Sequence, residues 1–183
     1  MVLRVEGYAI VSADGMLADA NRHMPDSIKI DADQKFFHGS LDHVAAVVHG
    51  RHSQEGGPRS GQRRRLILTY RVSAIAPDPK RPNALLWNPA GASFEQASDA
   101  LGVRDGVVAI IGGTNVFGMF LPRYDAFHLS RAARARIPGG LPVFPGVPAR
   151  TPEDILADHG LAPGPTRMLD AAQEASVTTW QRR

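Results

Sequence analysis

The sequence predicts an α/β fold, with a mainly parallel mixed sheet flanked by helices and an antiparallel C-terminal hairpin. Three observations predict it. Short apolar runs at Val5 to Ser12, Val44 to Val48, Leu66 to Thr69 and Val107 to Ile111 suit strands inside a sheet. Helical patterns lie between several of these runs, and such alternation implies parallel strands joined by helical crossovers. Towards the end, Thr166 to Leu169 and Ser176 to Trp180 read as a closing antiparallel pair. The 183 residues suffice for one domain with a substantial core, and no repeat, low-complexity tract or linker divides them.

The first strand, Val5 to Ser12, ends at Ala13-Asp14-Gly15. Met16 to Ile30 lacks a clear period and carries Asn21, Pro25, Asp26 and Ser27, so a long loop is expected. Asp31 to Gly39 reads as a short helix, capped by Asp31 and stopped by Gly39. Within it Asp33 and Phe37 are four apart and share a face. If that face turns inward, Asp33 loses solvation and holds its proton more tightly; if outward, Asp33 is a solvated acid favouring the helix dipole. Val44 to Val48 runs into His49-Gly50-Arg51-His52-Ser53, then a helical turn. Arg51 can fork onto phosphate and Ser53 can donate or cap, although a solvated loop has the same look. Gly56 to Gln62 is a flexible turn, and Arg63-Arg64-Arg65 a charge run of the solvated kind.

Leu66 to Thr69 ends on Tyr70-Arg71, a second cation at a strand terminus. Ala74 to Asn83 is proline-rich and loop-like, and Ala84 to Trp87 is a short strand. Ser93 to Leu101 is a helix with Ser93 as its cap, Phe94, Ala97 and Leu101 as its inner stripe and Gly102 as its stop. Val107 to Pro122, VVAIIGGTNVFGMFLP, organises the rest. A buried strand meets Gly112-Gly113, and a helix follows from Thr114, Asn115, Val116 and Phe117. Glycines there either admit a ligand close to the backbone or merely pack a tight connection. Tyr124 to Ser130 alternates like a partly exposed strand, and Arg131 to Arg136 reads as basic surface. Pro138 to Pro148 is irregular, with Leu141 and Phe144 as core plugs, and Thr151 to Leu156 forms one helical turn.

Composition narrows the function. The chain has no cysteine, which excludes a disulfide framework, a thiolate metal site and a cysteine nucleophile. A formal charge of only +3 suits an anionic small molecule better than nucleic acid, and no stacking aromatics accompany the arginine runs. No apolar run approaches membrane-spanning length, and the N-terminus reads as a strand rather than a signal peptide, so a cytoplasmic protein is expected. Ligands on such sheets bind beyond the carboxyl ends of strands. Gly50-Arg51, Thr69 to Arg71 and Gly112-Gly113 each follow an apolar run, and that shared placement favours a binding site.

Three segments, ADQKFF, VVHGRHS and IIGGTNVFGMFLPRYDAFHLS, resemble the dihydrofolate reductase superfamily in order and spacing over most of the chain to about Pro145. The resemblance implies that fold and hydride transfer from NADPH to a pterin-type substrate. It makes Asp33 the acid that grips the ring and promotes protonation of the reducible imine. Ile10, Phe37 and Arg63 become substrate contacts, with Arg63 at the folate tail and the Met16 to Met24 loop as a cover. Gly50, Arg51, His52 and Ser53 meet cofactor phosphates, and Thr69, Tyr70 and Arg71 lie near the adenosine 2′-phosphate. Ile111, Gly112 and Gly113 face the nicotinamide, and Thr114, Asn115, Val116 and Phe117 line the cofactor. The partner is thus a small molecule, with neither nucleic acid nor membrane involved, in a monomer or homodimer.

The sequence departs from that pattern at Met24-Pro25-Asp26, where the family usually has tryptophan, and at Gln54, where it often has another. Ser12-Ala13-Asp14-Gly15-Met16-Leu17-Ala18 is similar to the opening of the riboflavin-biosynthesis reductase branch, which acts on a ribosylamino-pyrimidine. A pyrimidine reductase and a non-catalytic nucleotide-binding relative therefore stand as alternatives.

Overall fold

The first apolar run becomes the middle of the sheet. The computed structural model describes residues 2–183, with strands β1 (Leu3–Ser12), β2 (Met16–Ala18), β3 (Ala46–Gly50), β4 (Arg65–Leu68), β5 (Ile75–Pro77), β6 (Ala84–Trp87), β7 (Gly106–Ile110), β8 (Ala126–Ala132), β9 (Leu141–Pro142), β10 (Leu161–Asp170) and β11 (Ala175–Arg182). The helices are α1 (Asp31–Leu41), α2 (Phe94–Ala100), α3 (Thr114–Met119) and α4 (Pro152–Asp158). Nine strands form one sheet in the order β10-β11-β8-β1-β7-β3-β4-β6-β5. From β8 to β6 every neighbouring pair is parallel, and the pairs made by β5, β10 and β11 are antiparallel. This is the dihydrofolate reductase-like architecture. No helix among the described residues is long and apolar enough to cross a membrane.

Side-chain alternation along the central strands divides the core. Val48, Val108 and Ile110 point to the larger apolar cluster, which takes in Phe94 of α2, Val116 and Phe117 of α3, and Leu156 of α4. Tyr8, Val47 and Ala109 point the other way, beneath Phe36, Phe37 and Leu41 of α1. The predicted cap at Ser93 forms a full capping box, its hydroxyl accepting from Gln96 N at 3.1 Å while the Gln96 side chain accepts from Ser93 N at 2.9 Å.

Several expectations are corrected. The Met16 to Ile30 stretch is not all loop, because Met16–Ala18 pairs with Leu141–Pro142 as a small ribbon and Asp26–Ile28 forms a 3-10 turn. Gly39 lies inside α1, which runs on to Leu41, and the residue preceding the helix is Ile30, with no side-chain cap. Ile75–Pro77, inside the proline-rich stretch, is an edge strand. Proline is admitted there because an edge strand leaves backbone groups unpaired. Tyr124 to Ser130 is not half-exposed, since β8 lies between β1 and β11 and most of its residues are buried.

Candidate active site

Because β1, β3, β4, β7 and β8 run parallel, their carboxyl ends share one edge of the sheet. A cleft of about 1150 Å³ opens there. Of the residues singled out in the sequence, Ile10, Asp33, Phe37, Gly50, Arg51, His52, Ser53, Thr69, Tyr70, Arg71, Ile111, Gly112, Gly113, Thr114, Asn115, Val116 and Phe117 all line it. Arg63 does not: its guanidinium is held by Asp42 at 3.0 Å and Glu55 at 3.2 Å.

At one end the two strand-glycine turns are tied together, with Gly50 N donating to Gly112 O at 2.8 Å and Ser53 N to Gly50 O at 3.1 Å. Gly112 has φ +122°, and a side-chain carbon on it would fall 3.3 Å from Phe117. One on Gly113 would fall 3.1 Å from Ser53 Oγ. The bare backbone therefore forms a surface that any side chain would fill. The Gly112–Gly113 peptide is cis. The Thr114 hydroxyl donates to Pro142 O at 2.5 Å, so it braces α3 against the β2–β9 ribbon.

Positive charge collects at this end. Slight desolvation, then the charges of Arg22, Arg51 and Arg71, hold His52 below its ordinary pKa, and all three arginines line the cleft with it. Arg22 was missed by the sequence reading. It comes from the stretch read as a long loop over the site, where Asp19 Oδ1 accepts from Asn21 N at 2.8 Å and His23 N at 3.0 Å and fixes the turn. Beside the cluster Thr69 is buried and Tyr70 is 74% exposed.

The other end holds Asp33, in the first turn of α1 and only 6% exposed. Burial raises its carboxyl above the ordinary range, and the Ser130 hydroxyl acts in the opposite sense. Of the two sequence readings for this residue, the inward face is the one realised. Tyr8 and His128, also lining this end, stack with centroids 4.4 Å apart at 16°. Glu6 Oε2 accepts from the Tyr8 hydroxyl at 3.0 Å and meets His128 Nε2 at 3.0 Å, while Thr179 Oγ1 lies 3.0 Å from His128 Nδ1. Burial, then the Glu6 charge, push the Tyr8 hydroxyl far up, so it stays neutral.

Within the charge run Arg65 proves to be a buried brace, while Arg64 stays exposed. Arg65 is 1% exposed, its Nη1 donating to Glu55 Oε2 at 2.8 Å and its Nη2 to Glu55 Oε1 at 2.7 Å. Arg65 Nη1 also lies 2.9 Å from His49 Nε2. Arginine only donates, so Nε2 accepts and Nδ1 carries the proton, which it donates to Gly50 O at 2.6 Å. Burial pulls His49 down to about 4, with the Arg65 charge adding to the effect, so this tautomer persists at neutral pH. The expected helical turn after Ser53 is replaced by the irregular segment that carries Glu55, with a 3-10 turn only at Ser60–Gln62. Run composition suggested solvation; the signal for burial was a basic residue directly abutting Leu-Ile-Leu, with a lone acid ten residues before it.

No protein-family model matches the sequence, and no curated protein matches it. Solved structures match in shape. One is a protein assigned to riboflavin biosynthesis from Shewanella sp. PV-4, with a TM-score of 0.67 and 18% identity over 98% of this chain and 99% of that one. Another is dihydrofolate reductase from Enterococcus faecalis, solved with NADP(H) and RAB-propyl, with a TM-score of 0.67 and 17% identity over 98% of this chain and 96% of that one. A third is a diaminohydroxyphosphoribosylaminopyrimidine deaminase/5-amino-6-(5-phosphoribosylamino)uracil reductase from Thermotoga maritima, with a TM-score of 0.67 and 16% identity over 98% of this chain but 56% of that one. At such identities the likeness is one of fold.

Proposed function

We propose that this protein is an NADPH-dependent reductase acting on a small heterocycle of the pterin or pyrimidine type. The observation that carries the reading is a single cleft with a side-chain-free glycine surface and an arginine cluster at one end and a buried carboxyl at the other. The dinucleotide fits the first end by the chemistry present. Arg51, His52 and Ser53 would hold its phosphates, Arg71 with Thr69 and Tyr70 its 2′-phosphate, and Gly112 with Gly113 its nicotinamide. When bound it supplies the hydride.

The chain's own residues do the remainder. Asp33, desolvated under α1, can carry a proton near neutral pH, grip a donor-rich ring edge and favour protonation of the reducible nitrogen. Phe37 and Ile10 pack on the ring, and the 16–24 segment limits water. The test is fluorescence titration with NADPH and NADH, followed by a panel of dihydropterins and pyrimidines watched by loss of reduced-nicotinamide absorbance. Tighter binding of NADPH and its oxidation by one class are expected; failure to bind either dinucleotide refutes the reading.

The pyrimidine alternative draws on the Ser12-Ala13-Asp14-Gly15 turn, which is well formed. The Ser12 hydroxyl donates to Asp14 Oδ1 at 2.5 Å and accepts from Met16 N at 3.0 Å, while Asp14 Oδ1 accepts from Ile137 N at 3.1 Å. These bonds make the motif a brace for the cover segment. Turnover of a ribosylamino-pyrimidine with none of dihydrofolate would favour that branch, and NADPH binding without turnover of any substrate would favour a non-catalytic relative.

A further inference from the structure

The acid-bearing end of the cleft shows which groups a substrate can carry. Among the described residues lining the cleft the arginines are Arg22, Arg51 and Arg71; Arg51 and Arg71 follow the carboxyl ends of β3 and β4, and Arg22 comes from the segment between β2 and α1. Near Asp33 the lining is Tyr8, Ile10, Phe36, Phe37, Ser130 and His128, and the two ring nitrogens of His128 are already taken by Glu6 and Thr179. The arginine that the sequence resemblance assigns to a substrate arm, Arg63, lies outside the cleft lining, with both terminal nitrogens committed and only its buried Nε without a partner. Its side chain is 8% exposed and spans Asp42 and Glu55, and Glu55 is itself held by Arg65. Arg59 also sits on Asp42, at 3.6 Å. A bound carboxylate or phosphate would have to displace Asp42, whose side chain is 31% exposed, and the buried Glu55 from Arg63, and the second pair is of the kind that resists being broken.

Between α1 and the segment bearing Glu55, Gly57 lies against the His38 ring, so that a side-chain carbon on Gly57 would be 3.1 Å from His38 Cε1. Arg81 ties down the same segment, bridging Gln54 and Asp78. Lys35 is exposed on α1, and Arg167 stands 5.2 Å over the Phe36 ring; neither lines the cleft.

We infer that the substrate is a compact heterocycle with a donor-rich edge for Asp33 and no carboxylate or phosphate arm: this end reads the ring and nothing beyond it. The inference rests on the reductase reading above and narrows its substrate class. It is tested on the intact protein with two dihydropterins sharing one ring, 6-methyl-dihydropterin and dihydrofolate, compared by kcat/KM. An arm gripped by a free arginine gains tenfold or more, tenfold being about 1.4 kcal/mol. Values within about threefold, or a preference for the methyl compound, are expected, and a tenfold preference for dihydrofolate overturns the inference. Arg63→Gln adds a second readout. The ratio of the two kcat/KM values should stay constant even if both fall, and a tenfold selective loss on dihydrofolate overturns it.

If neither pterin turns over, binding decides. Two 2,4-diaminopyrimidine probes, with and without a benzoyl-glutamate arm, should then compete with similar Kd. Tenfold tighter binding of the armed probe, or binding of neither, overturns the inference. The parallel NADPH titration decides separately whether the reductase reading survives. A ribosylamino-pyrimidine offered with and without its 5′-phosphate extends the comparison, with preference for the phosphorylated form again overturning it.

Discussion

Replacing Glu55 with glutamine should destabilise the protein severely, and the structure sets the size. The Glu55 and Arg65 side chains are each 1% exposed and joined by two charge-assisted hydrogen bonds, and Arg63 adds a third to Glu55. Removing one partner of a buried pair costs roughly 3–5 kcal/mol, because the other charge stays desolvated. Glutamine keeps one acceptor, and His49 Nε2 and Ser60 O still accept from Arg65, so the lower end, about 3 kcal/mol, applies. In a chain of this size each kcal/mol moves the thermal midpoint by roughly 2–4 °C, giving a fall of about 6–12 °C by circular dichroism at pH 7. Burial raises the Glu55 carboxyl, but the Arg65 hydrogen bonds and charge, backbone donation and Arg63 together bring it below its ordinary 4.5. A depressed carboxyl contributes stability above its unfolded pKa and loses it as pH falls through the folded one, so the difference between the two proteins should narrow below pH 4.5. Glu55→Leu combined with Arg65→Met should cost less than the sum of its parts, since no charge is stranded. A midpoint lowered by under 2 °C, or a difference that grows in acid, would refute this account. NADPH affinity should fall too, because Arg65 aligns His49, which holds the Gly50 carbonyl.

Asp33→Asn should lower kcat by roughly 10²–10³ while leaving the NADPH Kd nearly unchanged; unaltered turnover would remove Asp33 from the mechanism. The same change should raise the thermal midpoint at neutral pH. A carboxyl whose folded pKa is raised favours folding below its unfolded value of 3.8 and loses that contribution as pH rises, so the gain should vanish in acid. Arg71→Ala should weaken NADPH far more than NADH, and Arg22→Ala should weaken both and flatten the dependence of Kd on salt, as fluorescence titrations from 50 to 300 mM salt would show. Ser93→Ala removes the capping box outside the cleft and should cost about 1 kcal/mol in urea denaturation with kcat unchanged.

The glycine-bearing end of the cleft was legible because its residues are local signals. Gly50-Arg51 and Gly112-Gly113 stand directly after apolar runs, and a strand that ends in glycine announces the edge of a parallel sheet. Asp33 was legible only as a choice between two faces, since the apolar positions of α1 are too few to orient it. Arg65 was misread because a run of three arginines resembles solvated surface. Its burial depends on Glu55 and His49, which no periodicity links to it. Arg22 went unseen for a related reason: the turn that presents it is held by Asp19 side-chain bonds, not by a repeating pattern. The two-residue strand Leu141–Pro142 is invisible without its partner Met16–Ala18, more than a hundred positions earlier.

The place of β1 has a bearing on synthesis. Glu6 is flanked by Ala109 on one side and Ala126 on the other, so β1 leaves the ribosome well ahead of both its neighbours. Strands β3, β4, β6 and β5 adjoin one another and can zip up while translation continues. Val5, Tyr8, Ile10 and Val11 must meanwhile stay unpaired in the nascent polypeptide. Long-range pairing of this kind slows folding and leaves a sticky segment uncovered, which is where a chaperone would find its foothold.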